Sequence, residues 1–100
     1  MTADDRKDGR KAVRVRIQGK VQGVWYRGWT VDQAGALGLT GWVRNRSDGT
    51  VEALFAGPVE AVDRMLDACR RGPPSAIVRD VVSEPEQDPG MAGFEQRPTV

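Results

Sequence analysis

The chain has 100 residues, enough for one domain with its own core, and it carries 39% hydrophobic and 29% charged residues. Its net charge of +1 lacks the basic excess of a nucleic-acid module, so no nucleic-acid partner is expected. It has no histidine and a single cysteine, Cys69, which excludes Ser-His-Asp and Cys-His catalysis, His-based metal sites and any internal disulfide.

No apolar run reaches the ~20 residues of a membrane span, so no membrane partner is expected. Met1 to Lys11 is polar, with no apolar stretch of the kind a signal peptide needs, which predicts a cytoplasmic location. Residues 1–10 mix acidic and basic side chains without an apolar period and predict a disordered tail before a domain over residues 11–97.

Val13, Val15 and Ile17 then alternate with Arg14, Arg16 and Gln18, the period of a half-buried strand. Gly19-Lys20-Val21-Gln22-Gly23-Val24 breaks that period with two glycines four apart and predicts a shaped loop. From Tyr26 the period becomes helical, with Tyr26, Thr30, Ala34 and Leu37 on one stripe. Gly38 suits the left-handed position that closes a helix, with Leu39 packing back behind it.

A second strand follows over Gly41–Arg46. The turn Ser47-Asp48-Gly49-Thr50 joins it to a third, in which Val51, Ala53 and Phe55 alternate with Glu52, Leu54 and Ala56. Gly57-Pro58 opens a second helix whose predicted buried stripe is Val62, Met65, Leu66 and Cys69. Arg70 and Arg71 lie in its last turn, where the helix dipole favours cations, and Gly72-Pro73-Pro74 ends it. Cys69 on the apolar stripe reads as a buried, inert thiol. Ala76–Val82 reads as a fourth strand. Its valines break strict alternation, which leaves a bulge and burial on both faces as open alternatives. Residues 84–93 read as a loop, and Phe94–Arg97 as a short final edge strand ended by Pro98.

The order predicts an α+β fold, a ferredoxin-like βαββαβ sandwich, with an antiparallel sheet and two helices on one face. A right-handed crossover makes the first two strands parallel, so both end at one edge of the sheet. The glycine loop leaves that end of the first strand, and Asn45 lies near that end of the second. With the third strand between them, the gap is two strand spacings, roughly 10 Å. Loop amides and a helix start offer unpaired N–H groups to an anion, and the guanidinium of Arg27 in the first helical turn can grip two oxygens at once. The residues alone leave two readings of each side chain. Arg27 is either an anion ligand or a solvated surface cation, and Asn45 either serves a site or caps the hairpin turn.

Two longer patterns bear on that choice. Gly19-Lys20-Val21-Gln22-Gly23-Val24-Trp25-Tyr26-Arg27 closely resembles the first signature of the acylphosphatase family, G-x-V-Q-G-V-x-[FY]-R. Gly41-Trp42-Val43-Arg44-Asn45 with Asp48-Gly49-Thr50-Val51-Glu52 resembles the second. The resemblance implies hydrolysis of small-molecule acyl phosphates by a cytoplasmic, metal-independent and cofactor-free enzyme, expected to be a monomer. It implies phosphate binding by Gly19, Lys20, Val21, Gln22, Gly23, Val24 and Arg27, and catalysis by Arg27 together with Asn45, which orients water. At the variable position of the first signature stands Trp25, a bulky residue beside the loop that shapes the pocket. Gln96 stands where the family's closing strand often carries an aliphatic residue. The competing function is a non-catalytic ferredoxin-like module that binds an anion or a partner.

Overall fold

The computed structural model describes residues 9–100. Its elements are β1 (Arg10–Lys20), α1 (Tyr26–Ala36), β2 (Thr40–Asn45), β3 (Val51–Pro58), α2 (Val59–Arg71), β4 (Ile77–Pro85) and β5 (Phe94–Gln96). The predicted tail falls outside the described residues over 1–8, and β1 already begins at Arg10. The sheet order is β4-β1-β3-β2-β5. The first four strands pair antiparallel, as the ferredoxin-like reading requires. The short β5 lies parallel to β2, with Gly41 opposite Phe94 and Val43 opposite Gln96, so the complete sheet is mixed.

Alternation sorts each strand onto two faces. Val13, Val15 and Ile17 of β1 join Val51, Ala53 and Phe55 of β3 and Val43 of β2 beneath the helices. Tyr26 and Ala34 of α1 and Val62, Met65, Ala68 and Cys69 of α2 complete this core. Burying each large aliphatic or aromatic side chain contributes about 1.5–3 kcal/mol. The stripe of α2 differs from expectation by one position. Ala68 is buried, and Leu66 stands at the margin.

The helix ends follow their residues. Leu39 N–H reaches Ala34 O at 2.9 Å and Gly38 N–H reaches Gly35 O at 3.1 Å, the paired closure of a left-handed C′ residue. Tyr26 Oη donates to Cys69 O at 2.7 Å and ties the start of α1 to the end of α2. Burial holds the Tyr26 phenol far above its ordinary range, so it stays a donor. Burial likewise pushes the Cys69 thiol up to about 12, which keeps it unreactive at neutral pH.

The irregular valines of β4 resolve as a bulge. Pairing with β1 slips between Gln18 and Gly19, leaving Arg79 as an extra residue. Val78 and Val81 therefore both reach the core, while Ile77 and Val82 are exposed. Gly19 makes this slip possible. At φ 132° a Cβ would collide with Ile77 O on the neighbouring strand.

The opposite sheet face is not a uniformly wet surface. Trp42, Leu54, Ala12 and Ala56 form a small second cluster, and the guanidinium carbons of Arg44 and Arg97 lie 4.6 and 5.2 Å from the Trp42 ring centre. Beside it Glu52 is 2% exposed and accepts from Arg44 Nε at 2.9 Å and Arg46 Nη1 at 3.0 Å. Burial opposes ionisation of Glu52, but the two guanidinium hydrogen bonds outweigh it and hold its pKa below the usual carboxylate range.

A carboxyl depressed in the folded state stabilises the fold above its unfolded pKa of about 4.3, and this is lost as pH falls through the folded value. Glu52→Gln should therefore cost roughly 2–3 kcal/mol at pH 7, less than a fully buried pair because both arginines reach solvent. Urea unfolding should show the gap between variant and wild type narrowing as pH falls below the unfolded value of about 4.3 and Glu52 takes up a proton. A gap that persists there would assign the loss to packing instead.

Candidate active site

β1 and β2 run in the same direction and end at the same edge of the sheet, with β3 between them. The chain leaving β1 crosses this edge as residues 21–25 and enters α1. Val21 is 1% exposed and anchors the loop in the core. Gln22 braces it from the side, its Nε2 donating to Arg46 O at 2.8 Å and to Thr50 O at 2.9 Å. The brace ties the loop to the two ends of the β2–β3 hairpin, 24 and 28 residues away in sequence. Gly23, at φ 74°, then turns the chain back toward the helix.

Beside this loop lies an open cavity of about 140 Å³. At ~30 Å³ per water in the liquid, it holds a small anion with a water beside it. Val21, Gln22, Gly23, Arg27 and Asn45 line it, together with Trp25, Tyr26, Gly28 and Gln96. Loop, first helical turn and hairpin strand thus meet at one cavity, as the topology predicts. Among the expected loop residues, Gly19, Lys20 and Val24 do not line it. Gly19 and Lys20 belong to β1 and pair with Val78 and Ile77, and Val24 packs toward the core.

Several polar groups in and beside the cavity lining lack protein partners. Among the described residues, the backbone amides of Gln22, Gly23, Val24 and Trp25 donate to no protein acceptor. The N-cap of α1 is Trp25, which supplies no side-chain cap, and its first turn holds no acidic residue. Positive potential at the helix start is therefore left uncompensated. Arg27 forms no ion pair or hydrogen bond among the described residues. This sets it apart from Arg14, Arg16, Arg44 and Arg46, each of which pairs with a carboxylate.

Asn45 shares the helix-side face of β2 with Val43, two residues earlier. The turn after it is stabilised by Asp48, whose Oδ1 accepts from the Thr50 backbone N–H at 3.0 Å and its hydroxyl at 2.7 Å. These two bonds lower the Asp48 pKa. The capping role open to Asn45 is thus filled by Asp48. The Asn45 carboxamide makes no hydrogen bond among the described residues, while its backbone carbonyl accepts from Val100 N–H at 3.2 Å.

Gln96 was not legible as a cavity residue. It arrives because β5 adds in parallel beside β2, with Gln96 opposite Val43, on the same face as Asn45. No local pattern encodes that pairing. No group of three or more His, Cys, Asp or Glu side chains suited to a metal gathers among the described residues. The cavity can thus receive an anion on fixed amides and a guanidinium, with a carboxamide beside it.

Comparison with known proteins gives the family. A family model described as acylphosphatase matches residues 13–96. An acylphosphatase of Rhodospirillum rubrum is 63% identical over 90 residues, spanning 90% of this chain and 99% of that protein. One of Rhizorhabdus wittichii is 53% identical over 102 residues, spanning 100% of both. The solved structure of an acylphosphatase from Coxiella burnetii superposes with a TM-score of 0.88 at 33% identity, over 91% of this chain and 96% of the other.

Proposed function

The chain belongs to the acylphosphatase family and hydrolyses acyl phosphates to a carboxylate and inorganic phosphate, and from that premise we propose how its residues divide the work. Arg27 and the loop amides around residues 22–25 hold the phosphoryl oxygens. Asn45 aims the attacking water at phosphorus. The observation that carries this reading is that Gln22, Gly23, Trp25, Arg27 and Asn45 line one cavity, and that the backbone amides of the first three and the side chains of the last two bond to no protein group among the described residues.

The chemistry suits the groups available. Water oxygen forms a bond to phosphorus as the bond to the acyl oxygen breaks, and the electron pair leaves with the carboxylate. A carboxylate is a good leaving group, so no strong general acid is needed. Phosphoryl transfer passes through a loose transition state, which asks for positioning and charge stabilisation. Preorganised amides and a guanidinium supply both. A carboxamide cannot take a proton at neutral pH, so the water's proton goes to a phosphoryl oxygen of the substrate.

Inorganic phosphate, the product, tests the placement. It should inhibit benzoyl phosphate turnover competitively, in excess chelator. In an NMR titration it should shift the amide resonances of residues 22–28 and the Asn45 side chain. Shifts confined to another surface would sink the assignment. The Gln22 brace yields a milder prediction. Gln22→Ala removes two hydrogen bonds worth about 1 kcal/mol each and should lower stability by roughly 1–2 kcal/mol. The loosened loop should lower kcat/KM about tenfold, checked by thermal unfolding and steady-state kinetics.

The same reading gives the chain a small-molecule partner and a monomeric, cytoplasmic state. No helix among the described residues is long and apolar enough to cross a membrane.

A further inference from the structure

Trp25 is the most exposed large hydrophobic side chain among the described residues, at 64%. It is also the one described non-glycine residue with positive φ, at φ 65° and ψ 24°. L residues enter this region at a cost, and such outliers gather at functional sites. The indole is nonetheless seated. A Cβ on Gly28 would collide with Trp25 Nε1 and stand 2.7 Å from Cε2, so the ring lies directly against the bare backbone of Gly28. One side of the ring is thus held by α1 and the rest is left to solvent. Trp25 and Gly28 both line the cavity that contains Arg27 and Asn45.

An acyl phosphate bound by its phosphoryl end must project its acyl group away from the loop amides. We propose that Trp25, seated on Gly28, is the platform for that acyl group and selects aromatic or other flat apolar acyl phosphates. This deepens the phosphate-site reading above and rests on it. Among the described residues, Arg27 is the one charged residue lining the cavity, so an acyl group bearing its own charge finds no second charged partner among them. An aromatic ring gains a stacking surface whose entropy of ordering the Gly28 contact has already met.

The test compares kcat/KM for benzoyl phosphate with that for acetyl phosphate, whose methyl group is too small to cover an indole. Trp25→Gly removes the ring and relieves the left-handed backbone. It should lower the benzoyl-to-acetyl ratio about tenfold, the scale of one aromatic contact. Trp25→Phe should keep most of the ratio. Gly28→Ala leaves residue 25 intact but displaces its ring, and should lower the ratio as well. Equal changes for both substrates in Trp25→Gly, which leave the ratio unchanged, would overturn the platform, and an unchanged ratio in Gly28→Ala would overturn its seat on residue 28. Phosphate inhibition measured on Arg27→Ala separates this from the underlying reading. If that variant binds phosphate as wild type does, the phosphate site itself is misplaced.

Discussion

Arg27→Ala should lower kcat/KM for benzoyl phosphate by about 10³–10⁴-fold and remove competitive inhibition by inorganic phosphate. A guanidinium aimed at a transferring phosphoryl group stabilises charge that peaks in the transition state, and losing one such donor costs at least 10²–10³. The fold should be untouched. Arg27 is half-buried on the first turn of α1 and contributes no ion pair among the described residues, so urea midpoints should move little. Arg27→Lys should recover only part of the loss, because an ammonium cannot present two parallel N–H bonds to phosphate. Full activity in the alanine variant would return Arg27 to the surface cations.

Asn45→Ala should separate binding from turnover. The expected kcat loss is about 10²–10³-fold, the cost of an attacking water no longer held in line. Phosphate inhibition should stay within about threefold of wild type, since Arg27 and the amides remain. Asn45→Asp supplies a control with nearly the same shape. It places a carboxylate beside the phosphate and should weaken phosphate inhibition as pH rises through its titration, where Asn45→Ala does not. Equal loss of phosphate affinity in the alanine variants of Arg27 and Asn45 would defeat the division of roles.

The contacts of Glu52 show how the sheet supports this site. Glu52 holds Arg46 through its side chain, and the Arg46 carbonyl receives the Gln22 brace. A carboxylate on the uncovered face is thereby linked to the loop on the helix face. In the sequence Glu52 alternates with core residues, and nothing in the local pattern marks it as enclosed. β3 is central, however, and neighbours on both sides cover its outward residues.

The sequence by itself determined the element order, the faces of β1 and β3, the closure of α1 at Gly38, and the convergence of the glycine loop and Asn45 on one edge. Each follows from local period, local turn chemistry or the handedness of a crossover. Only the tertiary structure decided that Arg79 is a bulge, that Glu52 is enclosed, that Gln96 reaches the cavity and that Trp25 lies on Gly28. The bulge, the enclosure and the arrival of Gln96 depend on register between strands distant in the chain. The seat of Trp25 depends on a side-chain direction set by one left-handed residue. Neither registers in hydrophobic period, because a period records which way a residue faces and not what stands opposite it.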